Sequence, residues 1–241
     1  MLDKTRGYYE KRPFYAVDGN AAIVAGMVAF LGSVAGVTVA TVAASGDTPI
    51  GTFWKDAATT NVRGAIESGT FNAGGTINLQ KGNVSSTAFI KVTNAAGTVT
   101  YTQGVDYSVA TANGVVTRIG GGAILALATV VISYRYNLVV GQDHWDNAST
   151  RWSQGVNYDR QPNDTIGSGK VTVVEGDAII YTDQYDPTQT YTLNAVLRAD
   201  ANSLWSTVGA GTGISSVCGR VIEVPSASDP FLGVAQIRVT A

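Results

Sequence analysis

The sequence predicts an all-β protein: a small β-barrel or β-sandwich domain with a second β module inserted into it. Three observations carry this prediction. Residues 88–137 read as short β-branched and aromatic runs broken by Asn-Gly and Gly-rich turns, and much of the remaining chain repeats that pattern at wider spacing. Glycine is abundant, 28 residues against 6 prolines, and only 14% of the 241 residues are charged. Short alternating runs bounded by turn formers are what half-buried strands require, because successive side chains face opposite sides.

In the central module the expected strands are 89–93, 98–101, 107–110, 115–119 and 129–136. Turn signals fall between them, at 94–97, Gln103-Gly104, Asn113-Gly114 and 120–122. Asn113-Gly114 predicts a type I′ hairpin turn, in which both central residues take positive φ. In the last run Val130, Ile132, Tyr134 and Tyr136 point one way, and Val131, Ser133 and Arg135 the other. Polar or small interruptions at 84–87 and 137–141 set the expected boundaries. These are an N-terminal arm, 1–19, a discontinuous β domain, 20–84 and 142–241, and the inserted module, 85–141.

From the start of the chain, residues 1–13 mix Lys4, Arg6, Lys11 and Arg12 with Asp3, Glu10, Tyr8 and Tyr9. This reads as an arm laid against a neighbouring subunit, with Arg6, Tyr8, Tyr9, Lys11 and Arg12 as its contact residues. Residues 20–46 follow with just Asn20 and Ser/Thr as polar side chains and no charge. Length alone makes this a candidate membrane span. Gly26, Gly32 and Gly36 cut it into strand-length pieces, however, and 36–42 alternates β-branched residues, so strands are the expected outcome and no membrane partner is expected. A turn and short strand close at 46–55. Residues 57–69 are read as a single helical turn or an irregular loop, and a strand pair, 70–71 with 76–79, is expected around Asn72-Ala73-Gly74-Gly75.

After the module, 141–165 is the most polar stretch, with Trp145, Trp152 and Tyr158 interleaved. It reads as an ordered connection whose aromatics would carry any binding. Beyond it, strands are expected at 170–175, 178–182, 191–198, 203–207, 215–224 and 233–239. Residues 22–55 and 193–224 run through the same order of strands and small-residue turns, which reads as a candidate duplicated β unit.

The chemical inventory is thin. His144 stands alone among polar residues and reads as a surface histidine. Gly167-Ser168-Gly169-Lys170 fails the phosphate-loop pattern, with Asp164 at the first glycine position and Val171 where Ser or Thr would hold a metal. The glycines of 209–213 lack dinucleotide-fingerprint spacing. Asp177, Asp183 and Asp186 match no calcium-loop spacing and read as turn-capping residues. Cys218 has no intramolecular partner and is expected as a small buried hydrophobe. With 16 basic against 18 acidic residues there is no cationic field for nucleic acid. No enzyme, cofactor or metal is expected. Low charge with many Gly, Thr, Val, Ala and Tyr fits surfaces that meet partners, hence an assembly subunit.

Residues 12–54, with FYAVDGNAAIVAGMVAFL and TPIGTFW, together with 171–239, with VTVVEGDAIIYTDQYDPTQTYTLNAVLRADANSLWST, CGRVIEV and FLGVAQIRV, resemble capsid decoration (cement) proteins of tailed bacteriophages. The central stretch, with GTVTYTQGVDYSV, NGVVTRI and VVISYRYN, is similar to immunoglobulin-like or fibre-like inserts of phage head and tail proteins. The resemblance implies a non-enzymatic protein at the capsid surface of the virion. It implies binding to the major capsid protein, ties between neighbouring capsomers and assembly as a trimer or dimer. It supplies no residue-level motif to carry over. Two other readings remain open at this point, a major tail or tail-tube protein and a carbohydrate-binding module stacking sugars on Trp145, Trp152 and Tyr158.

Overall fold

The computed structural model describes residues 2–6, 14–17, 23–24, 26–34, 37–42, 48–53, 62–137, 170–208 and 216–237. Among these the chain is all-β, eighteen strands with a single short 3₁₀ turn.

Strands β2 (Phe14–Val17), β3 (Val28–Val34), β4 (Val37–Thr41), β5 (Thr48–Phe53) and β13 (Lys170–Glu175) close into a barrel in the order β13-β2-β4-β3-β5. Closure depends on β13 changing partner midway: Lys170–Thr172 pairs with β2 and Val173–Glu175 with β5. At Gly51 the two backbones come so close that a Cβ would run into the Val174 carbonyl oxygen, so only glycine fits there. The uncharged stretch therefore supplies a β3–β4 hairpin. Its lack of charge has a physical reason. Ala29 faces a barrel core with Ile23, Ala40, Phe53, Val173 and Leu204, while Val28 and Phe30 face a second core outside the barrel. A strand buried on both faces reads as continuously apolar. No helix among the described residues is long and apolar enough to cross a membrane.

That second core lies between the barrel and an antiparallel sheet of six strands. These are β1 (Leu2–Arg6), β14 (Ala178–Thr182), β18 (Leu232–Gln236), β17 (Gly219–Glu223), β15 (Val196–Ala199) and β16 (Trp205–Ser206), in that order. Ile180, Leu197, Trp205, Val221, Leu232 and Val234 fill it with Val28, Phe30 and Val174. Four hydrogen bonds tie the two parts together. Gln236 accepts from Thr52 Oγ1 at 2.5 Å and donates to the carbonyls of Val174 and Gly176, and Trp205 Nε1 donates to the Gly26 carbonyl at 3.0 Å.

Two expectations change here. Where an arm separate from the body is expected over 1–19, Leu2–Arg6 is the edge strand on β14 and Phe14–Val17 belongs to the barrel. Where one discontinuous domain is expected over 20–84 and 142–241, β13 pairs with β2 and β5, β14 pairs with β1, and β14 to β18 otherwise pair with one another. The two stretches read as a candidate duplication share a pairing order: β3 lies between β4 and β5, and β15 between β16 and β17. One closes into a barrel and the other stays in an open sheet.

The remaining strands form a two-sheet sandwich. One sheet is β6 (Val62–Thr70), β12 (Thr129–Asn137), β8 (Lys91–Asn94) and β9 (Thr100–Tyr101). The other is β10 (Tyr107–Ala110), β11 (Val115–Arg118) and β7 (Thr76–Asn78). Val92, Val130, Ile132 and Tyr134 from the first meet Ile77, Tyr107 and Val116 from the second around Phe71 and Ile124. The pairing starts this module at Val62, not at residue 85. All nine residues of β6 pair with β12, and β7 pairs with β11. The helical turn or loop expected over 57–69 is thus replaced, from Val62 on, by a strand. The turn at 72–75 forms as expected, closed by Gly75 N to Asn72 O at 2.9 Å, but its two flanking strands go to different sheets.

Asn113-Gly114 closes a hairpin of another type. Ala110 pairs with Val115, leaving a four-residue loop in which Gly114 has φ 67° and Asn113 is not in the positive region. Only the last loop residue needs the left-handed conformation, as when a type I turn ends in a glycine.

Candidate functional site: a polar seam and the tip opposite it

Of the residues expected to contact partners, Arg6 ends β1, the edge strand of the six-stranded sheet. Tyr8, Tyr9, Lys11, Arg12, Trp145, Trp152 and Tyr158 lie outside the described residues, as does His144. The structure brings together a different set, in the seam where the sandwich module sits on the body.

The seam forms because β14 ends in Thr182 and the chain continues as Asp183-Gln184-Tyr185 under the Val62–Asn137 end of the β6–β12 pair. Gln184 is fully buried and uses both ends of its amide. Its Oε1 accepts from Arg135 Nη2 at 2.6 Å, and its Nε2 donates to the Val62 carbonyl at 3.0 Å and to Asp183 Oδ1 at 2.8 Å. Asp183 Oδ2 accepts from Gly64 N at 3.3 Å. Arg63 and Arg135 are both buried here, and the Arg135 guanidinium lies 5.6 Å from the centre of the Phe89 ring. Ile66 packs onto the core of the six-stranded sheet and Phe89 onto the barrel core. Lys91 of β8 completes the contact, donating to the Gln189 carbonyl and to Thr190 Oγ1, each at 3.0 Å.

The electrostatics match this geometry. Burial draws the Arg135 guanidinium below its ordinary value, and the carboxylates of Asp183, Asp200 and Asp186 oppose it. Burial alone would raise Asp183; the positive charge around it, Arg63 included, and the Gln184 amide outweigh that and hold it below the usual carboxylate range. Burial lowers Lys91, with Asp186 acting the other way. Buried charges are tolerated only when paired and hydrogen-bonded, so each member fixes the others. Asp186 is likewise occupied: its carboxylate accepts from Thr188 N, Thr188 Oγ1 and Gln189 Nε2, a capped turn. Among the described residues no three His, Cys, Asp or Glu side chains converge as metal ligands.

The opposite end of the module is built otherwise. Since Val62 pairs with Asn137 and Thr70 with Thr129, the loop before Thr129 lies at the end of β12 away from the seam. Asp106 pins it, accepting from Thr102 N and Ala123 N at 2.7 Å each, and these two amides hold its carboxyl below the ordinary value. Phe71 N donates to the Ala128 carbonyl and Arg118 Nη1 to that of Ile124. On this fastened loop Leu125 is 76% exposed and Leu127 62%, and Val105, next to the pinning Asp106, is 60% exposed. Leu127 has φ 58°, a conformation a leucine holds only when its surroundings impose it.

No protein family, curated protein or solved structure matches this chain.

Sequence reasoning missed both ends of the module. Arg135 alternates correctly with Tyr134 and Tyr136, yet its type reads as solvent-facing. The one local sign of the seam is Asp183-Gln184 directly after the apolar strand 178–182, a polar pair where a turn glycine is the commoner choice. At the tip, Leu125 and Leu127 follow Gly120-Gly121-Gly122 in a loop-like context, and exposed leucines in a turn-rich segment are the available signal.

Proposed function

We propose that this chain is a non-enzymatic structural protein of a bacteriophage particle. It decorates the capsid surface and stabilises it by bridging neighbouring major capsid protein subunits, working as a homo-oligomer. The observation that carries this reading is the build of the sandwich module: one end is locked to the body through Gln184, Arg135, Asp183 and Lys91, and the other presents Val105, Leu125 and Leu127 on two loops joined by Asp106. A preformed apolar contact loses little conformational entropy on docking, so its area converts to affinity with less loss. Modest contacts repeated across an oligomer then add through avidity. The resemblance of the two flanking stretches to decoration proteins supports the same reading.

The test is co-sedimentation of the purified protein with capsids that lack it, followed by cryo-electron microscopy of the decorated particle. Extra density spanning neighbouring capsid subunits is the expected result. Leu125→Asp combined with Leu127→Asp removes the binding while the circular dichroism spectrum stays that of the parent. A folded protein that leaves capsids undecorated at saturating concentration overturns the reading, and recovery in tail tubes would assign it there instead.

A further inference from the structure

Among the described residues the longest edge strand of the sandwich is β6, which pairs on one side only. Hydrogen bonds at its ends fix which of its backbone groups face outward. Phe71 N bonds across to the Ala128 carbonyl, so odd-numbered residues face β12. Val62 O and Gly64 N bond instead to Gln184 and Asp183 on the far side, so even-numbered residues face away. The N–H and C=O groups of Ile66, Ser68 and Thr70 therefore form an outward row, and among the described residues nothing hydrogen-bonds to them. Ser68 and Thr70 are exposed.

Edge strands in monomeric proteins are usually guarded by a proline, a bulge or an outward charge. β6 has none of these. Its pairing with β12 runs without a register shift from Val62 to Thr70. Its two charged residues are turned inward: Arg63 is buried, and Glu67 accepts from Gln80 N and from the Tyr134 hydroxyl. Seam and turn limit the open row at both ends, since Gly64 N is taken by Asp183 and Asn72 N by the Thr76 carbonyl.

We propose that the outer edge of β6 is a homotypic docking edge. A second copy of this chain lays its own β6 antiparallel along it, about a two-fold axis at Ser68, joining two four-stranded sheets into one. A second copy fits because the free row is short and self-complementary. In this register Ser68 faces Ser68 of the other copy and Ile66 faces its Thr70, so every free group of the row meets a partner of opposite kind. Glu67 then stands across from the other copy's Gly69, which has no side chain, so the two carboxylates do not face each other. This inference rests on the homo-oligomer proposed above and gives it an interface; its test needs no particle, so its failure leaves capsid binding to be decided separately.

The test is sedimentation velocity of the full chain over a concentration series. Ser68→Pro is the decisive variant: the Ser68 N–H points away from β12, so proline removes no bond of the protein's own ladder, and it blocks the edge. Ser68→Lys is the second variant, placing two like charges at the axis on an exposed site. The expected result is a reversible two-chain species for the parent. Both variants shift the monomer–dimer midpoint upward by at least about tenfold, with unchanged circular dichroism and, at concentrations below the parent's midpoint, an unchanged melting temperature. Three outcomes overturn the proposal: a parent monomeric throughout the series, a dimer indifferent to both substitutions, or open-ended oligomers in place of a closed pair. If Ser68→Pro fails to fold, Ser68→Lys alone decides.

Discussion

Arg135 donates to Gln184 Oε1 at 2.6 Å, and Gln184 donates its own amide to the carbonyl of Val62, so one glutamine from the body holds both long strands of the sandwich module. Every partner is buried or half-buried, and removing the glutamine leaves a guanidinium nitrogen, a carbonyl and a carboxylate oxygen short of a bond. Gln184→Leu is expected to destabilise the protein by about 3 kcal/mol, the range for stranding a buried charge. Urea unfolding gives the magnitude. Hydrogen exchange gives the location, with protection lost first at the Val62 and Asn137 ends of β6 and β12.

Gly64 supplies an independent probe of the same contact. A Cβ there would lie 2.6 Å from the Asp183 carbonyl oxygen, a backbone atom that cannot swing away. Gly64→Ala is expected to cost about 2 kcal/mol or more by forcing the strands apart. Gly97, with φ 71° and open space around its Cβ position, is the comparison. Gly97→Ala meets only backbone strain and should cost about 1 kcal/mol. Equal effects at the two sites would show that the seam yields.

Much of the fold was legible because local chemistry and tertiary demand agree. Strands Lys170–Glu175, Ala178–Thr182 and Tyr107–Ala110 lie where alternation places them, and Gly176, at φ 81°, makes the turn between the first two. β6 was not legible: two glycines and two charged residues depress its strand signal, and nine pairings with β12 override that. The module boundary moved for the same reason, since a sheet's membership is decided by partners distant in sequence. The seam was least legible of all. A buried arginine is tolerated only because Gln184, forty-nine residues on, meets it, and no local pattern encodes that.

Asp106 predicts a specific acid response. Its folded value is depressed by the Thr102 and Ala123 amides, so its contribution is fully present above the ordinary carboxylate range, near about 4, and is lost as pH falls through the lower folded value. Asp106→Asn, with one oxygen to offer where the carboxylate offers two, is expected to destabilise the tip at neutral pH and to flatten the loss of stability as pH falls below the ordinary carboxylate range. Paired urea titrations of parent and variant give that difference. Parallel curves would remove Asp106 as the pin.

Cys218 is 3% exposed, and burial pushes its thiol up to about 11. Since thiolate is the reactive form, the native protein should resist iodoacetamide at pH 8 and react fully in denaturant. Because the thiol sits in the core shared by the barrel and the six-stranded sheet, its labelling rate reports opening of that core. Mass spectrometry of timed quenches reads it. Gln184→Leu should leave the rate unchanged if only the module loosens.

The strand pairing makes a last prediction about where the module can be cut out. Val62 and Asn137 are direct partners across β6 and β12, so the two chain ends at the root of the module are neighbours in space. Replacing 62–137 with a short Gly/Ser linker removes both of its sheets and their whole core, and loop closure over so small a gap adds little entropy cost. What is uncovered is Phe89's contact with the barrel core and Ile66's with the six-stranded sheet, together with the seam face of Asp183 and Gln184. The body should therefore fold cooperatively, at lower stability than the parent. Replacing 85–141 instead cuts through the sandwich: β6 and β7 stay behind without β12 and β11, and Phe71, Ile77 and Leu79 lose their core. That variant should be insoluble or molten. Expression of the two side by side, followed by thermal unfolding, decides it. A well-folded 85–141 replacement would restore the boundary expected from sequence, and failure of the 62–137 replacement would make the module part of the body's own core.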